Sequence, residues 1–214
     1  MHTSRYMAER IPGAKLMELP GDDHLPFFGD HDAVVALTQE FLTGALPVAD
    51  PDRMLATVLF TDIVDSTRLA TELGDRRWHR TLDQHNHVVR KHLARFRGKE
   101  VKTTGDGFLA TFDGPARAIR AAHAIRGELA EHGLQIRVGL HAGEVEPVGD
   151  DLGGIAVHIA ARVMARAGAG EVLCSRTVKD LVAGVGFAFD DRGTHQLKGI
   201  PERWQLYTVQ FGER

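Results

Sequence analysis

Two aspartates lie where their carboxylates could act together. Asp62 ends the apolar run that leads through Phe60, and Asp106 lies in a Gly-Asp-Gly turn between two β-favouring runs. Two carboxylates that lie close together with no basic residue between them repel each other. A bound divalent cation usually offsets this repulsion. Hard oxygen ligands select Mg²⁺ or Mn²⁺. Either aspartate alone would suit a turn or a helix cap, but as a pair they favour a metal site.

A helix start follows the first aspartate. Ser66 and Thr67 open a predicted helix, capped by Asp65 or Ser66. The first backbone N–H groups of a helix have no intrahelical partner, so this terminus suits a phosphate. Lys102 precedes Asp106 on the strand entering the turn, and its alternative interpretation is a solvated lysine. Metal, phosphate and lysine together suggest nucleotide chemistry.

A later helix carries further candidates. His158 and Arg162 are spaced i and i+4, so they share one face of a helix predicted over 154–167. An arginine facing a polyphosphate could stabilise charge in a transition state, whereas the alternative is a plain polar face. Asp151 precedes this helix, and Lys198 lies between two predicted strands. Residue types alone favour a loop lysine at position 198.

The composition indicates an ordinary globular protein of 214 residues with a net charge of −3. This charge does not call for a nucleic acid partner, and no apolar run is long enough for a membrane-spanning helix. The N-terminus lacks the apolar region of a signal peptide, and the single cysteine, Cys174, excludes an intramolecular disulfide. We therefore expect a soluble, cytoplasmic protein without nucleic acid or membrane partners. Cys174 is expected as a buried small hydrophobe and His141 as a core or edge histidine.

Three segments are predicted along the chain. Residues 1–45 form a small unit with a strand over 14–19 and a helix over 30–42, too short to bury a core alone. Residues 46–53 contain two prolines and form a linker. Residues 54–214 form the main domain.

The main domain alternates strand and helix in the order β-α-β-β-α-β. This order predicts an α+β, ferredoxin-like palm, in which helices cover one face of an antiparallel sheet. The predicted strands span 54–63, 100–103, 108–112, 135–141, 171–174, 187–190, 194–198 and 204–209. The predicted helices begin at 67 and 115 and span 76–96, 154–167 and 177–182.

Several of these motifs, taken in order, resemble the catalytic domain of class III adenylate and guanylate cyclases. The matching blocks are Phe60-Thr61-Asp62-Ile63 with Ser66-Thr67, Lys102-Thr103-Thr104-Gly105-Asp106, the segment 151–162, and the ending Leu197-Lys198-Gly199 with Leu206-Tyr207. The resemblance covers about residues 54–210. It implies an adenylate cyclase that converts ATP to 3′,5′-cyclic AMP and pyrophosphate.

The resemblance also implies residue roles. Asp62, Asp106 and the backbone carbonyl of Ile63 would bind two divalent ions, Mg²⁺ or Mn²⁺, in each active site. Lys102 and Asp151 would read the adenine edge. In this family the sites are shared across a homodimer, with the metal aspartates from one protomer and the base-reading and arginine groups from the other.

Three further residues take roles from the same resemblance. Arg162 would stabilise the pentacovalent transition state, and Lys198 would contact the triphosphate. His158 stands where the family usually has an asparagine that orients the ribose. This departure favours an alternative function, a weak or inactive cyclase-like domain that binds ATP as a regulatory sensor.

The N-terminal segment resembles a different family. Residues 11–26 are similar to the C-terminal end of an α/β-hydrolase, and His24 matches its triad histidine. The nucleophile elbow and the triad acid have no counterpart in this sequence, so His24 cannot complete a triad here. The resemblance implies a remnant of a hydrolase–cyclase fusion of the mycobacterial type, and a weaker hypothesis is residual hydrolase activity.

Overall fold

The computed structural model describes residues 2–19, 31–44 and 53–211. Contacts divide the chain into two compact units, Met1–Asp50 and Pro51–Arg214. The domain boundaries expected from the sequence, at 45/46 and 53/54, stay predictions.

The N-terminal unit contains two helices, α1 (His2–Arg10) and α2 (His31–Thr43). The predicted helix over 30–42 is therefore confirmed, and Gly44, at a φ of 74°, ends it by donating its N–H to the Glu40 carbonyl at 2.8 Å. The predicted strand over 14–19 is wrong, because these residues form neither helix nor strand. A strand needs a hydrogen-bonded neighbour, and the described residues of this unit offer none. His24 lies outside the described residues, and the hydrolase resemblance stays a prediction.

The larger unit is built on a mixed sheet. Its strands are β1 (Met54–Ile63), β2 (Lys99–Thr103), β3 (Gly107–Phe112), β4 (Ile136–Val148), β5 (Asp151–Gly153), β6 (Val172–Ser175), β7 (Ala188–Gln196) and β8 (Arg203–Gln210). Its helices are α3 (Ser66–Leu73), α4 (Asp75–Arg95), α5 (Pro115–Glu131), α6 (Ile155–Met164) and α7 (Arg176–Leu181).

The strand order is β2-β3-β1-β4-β6-β8-β7, with β5 paired to β4. The first four strands are antiparallel and reproduce the palm expected from β-α-β-β-α-β connectivity, which confirms the α+β prediction. The parallel pairing of β4 with β6 extends the sheet into a mixed one.

Helices cover both faces of the sheet, so the prediction that they cover one face is wrong. On one face of β1, Leu59 and Ile63 join the core cluster that includes residues of α4 and α5. On the other face, Val58 and Phe60 pack in a second cluster with Ala156 and Ala160 of α6. Because successive strand residues point to opposite faces, the nearly continuous apolar run of β1 reflects burial on both sides.

Most predicted elements are found within a few residues of their expected ends. The larger unit has three exceptions: β4 runs seven residues past its expected end at 141, β5 has no predicted counterpart, and the strands expected over 187–190 and 194–198 are one strand, β7, with an irregularity between Asp191 and Thr194. Cys174 and His141 are buried, as expected. Burial raises the pKa of the Cys174 thiol to about 12, so this thiol is unreactive.

Within the described ranges, no helix combines the length and apolarity needed to span a bilayer.

Gly139 fixes the distance between β4 and the end of α6. A β-carbon at position 139 would lie 2.2 Å from the backbone nitrogen of Met164. We predict that Gly139→Ala lowers the free energy of unfolding by about 1–3 kcal/mol, since it must displace the end of α6. The matched control is Gly127→Ala in α5, where no heavy atom lies within 4 Å of the added carbon. That change should raise stability by roughly 0.5–1 kcal/mol, because glycine disfavours a helix interior. Urea denaturation of both variants checks this, and equal stabilities would contradict the packing.

Candidate active site

The pairing of β1 with β3 brings the two aspartates to the same end of the sheet. Asp62 is in register with Gly107, and the Asp106 carbonyl accepts a hydrogen bond from the Ile63 N–H at 3.2 Å. The turn is pressed against β1, because a β-carbon at Gly107 would lie 2.1 Å from the Thr61 carbonyl oxygen. Only glycine permits this approach. Asp62, Asp106 and Ile63, expected as metal ligands, therefore lie beside one another.

The local environment disfavours a charged Asp62. Its side chain is only 18% exposed, and burial raises the pKa of its carboxyl group above the ordinary value. The neighbouring Arg137 opposes this rise, whereas the negative charge of Asp106 adds to it. A carboxylate that is penalised by burial and by a second carboxylate gains stability from a bound cation.

Arg137 is a site residue that the sequence analysis missed. It lies opposite Asp62 across β1 and β4. Its Nε donates to Asp62 Oδ2 at 2.8 Å, and a second guanidinium nitrogen donates to the same oxygen. The available signal was a single charged residue inside the apolar run 136–140, where burial requires a partner.

A groove of about 580 Å³ opens next to Asp62. Asp62, Ile63, Ser66, Thr67 and Arg137 line it. The helix α3 begins at Ser66, one residue earlier than expected. The side-chain cap predicted from Asp65 or Ser66 is not found, since the start of this helix has no side-chain hydrogen bond of that kind. Its first N–H groups have no side-chain partner, and the groove beside this helix start is also lined by Arg137, a combination that suits a phosphate.

The donor set suits Mg²⁺ or Mn²⁺. Among the described residues, no three side chains of His, Cys, Asp or Glu cluster as a metal site. Two carboxylates and a backbone carbonyl are instead the kind of partial shell that Mg²⁺ accepts, since it keeps its remaining positions for water and substrate phosphates. The residues present therefore fit the metal expected from the sequence.

Lys102 and Asp151 form an ion pair although they are 49 residues apart. The Lys102 Nζ lies 2.5 Å from Asp151 Oδ2, joining β2 to β5. Both side chains are about half exposed, and the ammonium group lowers the pKa of the Asp151 carboxyl. An exposed ion pair of this kind adds little to the stability of the fold. Its donor and acceptor atoms are accessible and can contact a ligand.

The remaining candidates are exposed side chains. His158 and Arg162 are exposed on α6, and Lys198 is exposed in the turn between β7 and β8. Within the part of the chain that the structure describes, none of these three side chains makes a hydrogen bond or an ion pair. One chain therefore does not join them to Asp62 and Asp106.

The metal site makes a direct prediction for Mn²⁺ binding. Asp106→Asn removes one carboxylate, so we expect Mn²⁺ affinity to fall roughly tenfold or more, as measured by electron paramagnetic resonance of the free ion. The matched control is Asp113→Asn, which changes the exposed aspartate beyond the other end of β3 and breaks its pair with Arg117. That variant should bind Mn²⁺ like the wild type. Equal loss in both variants, or no loss in Asp106→Asn, would contradict the assignment.

Several known proteins are similar to this chain in sequence. A candidate adenylate cyclase of Rhizobium meliloti (strain 1021) is 30% identical over 166 residues, which cover 73% of this chain and 28% of that protein. The chain spans less than a third of the length of the curated relatives it matches.

Solved structures share the fold. The catalytic core of a rhodopsin-guanylyl cyclase with converted specificity, in complex with ATPαS, has a TM-score of 0.68 at 25% identity, over 74% of this chain and 98% of that one. A non-canonical dimeric guanylyl cyclase domain from Blastocladiella emersonii has a TM-score of 0.67 at 22% identity, over 74% of this chain and 97% of that one. The family model of the adenylate and guanylate cyclase catalytic domain matches residues 50–211, and the chain belongs to this family.

Proposed function

We propose that this domain is an adenylate cyclase, which converts ATP to 3′,5′-cyclic AMP and pyrophosphate at sites shared by two copies of the chain. The observation that carries the proposal is the Lys102–Asp151 pair, with 2.5 Å between Nζ and Oδ2. The pairing edge of adenine presents a ring nitrogen that accepts and an amino group that donates. In the proposed pose the Lys102 ammonium donates to the adenine ring nitrogen and the Asp151 carboxylate accepts from its amino group. Guanine presents the opposite order, so in the same pose its ring N–H would face the ammonium and its oxygen would face the carboxylate.

The proposed metal ligands are Asp62, Asp106 and the backbone carbonyl of Ile63. Cyclases of this class use divalent metal ions. Two bound ions would neutralise phosphate charge and lower the pKa of the ribose 3′-hydroxyl, which attacks the α-phosphorus as pyrophosphate leaves. The protein contributes by holding both carboxylates rigidly at one sheet end, through the β1–β3 register and the close contact at Gly107.

The triphosphate is proposed to lie in the groove beside Asp62. Ser66 and Thr67 place the free N–H groups of α3 there, and the guanidinium of Arg137 lines the same space. Arginine suits phosphate because its planar fork can bind two oxygens at once. Lys198, exposed in its turn, is the further proposed contact.

The transition-state groups are proposed to come from the second copy. Arg162 is exposed and has no partner within the described chain, so its charge is available to a neighbouring molecule. Facing the α-phosphorus of the other protomer's substrate, it would stabilise the charge that develops there. His158 lies one helical turn away on the same face and could donate to the ribose. A homodimer with two such sites follows.

A second candidate function is an ATP-binding regulatory domain with little or no turnover. The observation that favours it is His158, which stands where this family usually has asparagine and whose side chain makes no hydrogen bond or ion pair with any residue that the structure describes. An unrestrained imidazole would orient the ribose less well than a fixed amide.

Cyclic nucleotide formation tests both candidates. We expect wild-type protein with Mn²⁺ or Mg²⁺ to form cyclic AMP in preference to cyclic GMP. Lys102→Glu should lower kcat/KM for ATP roughly 10- to 100-fold, the range of a lost base contact, and so reduce the ATP preference. The control is Lys99→Glu, which reverses an exposed lysine at the far end of the same strand.

The possible outcomes are distinct. An unchanged ATP preference in Lys102→Glu would show that this pair does not read the base. ATP binding without product, from folded dimeric protein, would favour the regulatory candidate, and restored turnover in His158→Asn would then identify the cause.

A further inference from the structure

A second cavity lies away from the groove beside Asp62. Its volume is about 400 Å³, within the range of small-molecule sites. It is bounded by β4, the start of α6 and the residues just before β8, and it shares no lining residue with the groove beside Asp62. Ile155, Ile159, Ile200 and Trp204 form its apolar walls.

A buried histidine reaches this cavity. His141 is 4% exposed, and its Nδ1 lies 2.7 Å from Ser175 Oγ. Its Nε2 makes no hydrogen bond with any described residue. Gly143 keeps the space in front of this nitrogen open, because a β-carbon at position 143 would lie 3.2 Å from Nε2. Burial lowers the pKa of His141 to about 4, so the ring is neutral near pH 7. We assign the ring proton to Nδ1, which donates it to Ser175 Oγ, so that Nε2 is an acceptor; the opposite tautomer would make Nε2 a donor.

The rim of the cavity is acidic. Glu144, Glu146 and Glu202 line it, against a single guanidinium from Arg53. Arg53 lies 3.9 Å from Glu144 and so offsets one of the three carboxylates. The remaining negative charge and the acceptor nitrogen favour a cationic donor, since carboxylates attract a cation.

We propose that this cavity binds a small organic cation, a flat apolar group carrying an amidinium or ammonium. The cation would lie near the glutamates and Nε2, and the apolar part would pack between Ile159 and Trp204. A regulatory effect follows from the walls: α6 carries His158 and Arg162, and the turn that reaches Ile200 carries Lys198. The regulatory part rests on the proposed cyclase function, whereas binding does not.

Benzamidinium is a suitable probe, and neutral benzamide is its matched control. The protein has two tryptophans, so the Trp78→Phe variant reports on Trp204 alone. We expect saturable fluorescence change with benzamidinium and at least about threefold weaker binding of benzamide. Glu202→Gln should weaken benzamidinium binding roughly two- to fivefold, since Glu202 is exposed and its charge is screened. Glu131→Gln, at the exposed end of α5, should leave it unchanged.

A steric variant makes the test sharper. Gly143→Ala places a methyl group before Nε2 and should weaken benzamidinium binding about tenfold or more. A thermal melt establishes that this variant folds, and Glu202→Gln keeps the proposal testable if it does not. Equal binding of benzamide and benzamidinium, no saturable binding, or no effect of either variant would overturn the site. Benzamidinium binding is measured without nucleotide. If benzamidinium binds but cyclic AMP formation is unchanged, only the regulatory part of the proposal is overturned. If the protein has no cyclase activity, the binding result still stands.

Discussion

The close contact between Gly107 and Thr61 sets the geometry of the whole candidate site. A β-carbon at position 107 would lie 2.1 Å from the Thr61 carbonyl oxygen. Because glycine has no β-carbon, the β2–β3 turn can press onto β1. That contact places Asp106 beside Asp62 and creates a concentration of negative charge at one sheet end. The energetic cost of two neighbouring carboxylates is what makes a cation favourable there. In the described structure, Arg137 supplies part of that compensation through its hydrogen bonds to Asp62.

The other candidate functional groups are not brought together within one described chain. Ser66, Thr67 and Arg137, proposed to bind phosphate, line the same groove as Asp62. Arg162 and His158 instead face outward from α6, and their side chains have no partner within the described chain. The packing of α6 on the sheet fixes the position of Arg162. No acidic side chain of the described chain neutralises its charge. Such an arrangement suits a site completed by a second molecule.

The parts of this structure that the sequence predicted well are those governed by local rules. The apolar run of β1 ends at Ile63 as expected, because a polar helix start follows directly. The Asp-Gly turn predicted the β2–β3 hairpin, and alternation in the chain predicted the palm order. The partners of charged side chains were harder to predict. The Asp62–Arg137 pair depends on the register of β1 with β4, which no local pattern of residues fixes. The strand over 14–19 failed for a related reason, since alternation describes a strand but does not supply its neighbour. The position of α6 on the opposite face likewise depends on tertiary packing, through Gly139 and Met164.

The claim that two chains share each active site is tested most directly by mixing two variants that are each inactive. Asp62→Asn lacks the metal half of the site, and Arg162→Ala lacks the transition-state half. If the halves come from different protomers, mixed dimers contain one intact site, and a one-to-one mixture should recover up to about a quarter of wild-type cyclic AMP formation. Native mass spectrometry establishes that mixed dimers form. A mixture that contains mixed dimers yet stays inactive would contradict the shared site.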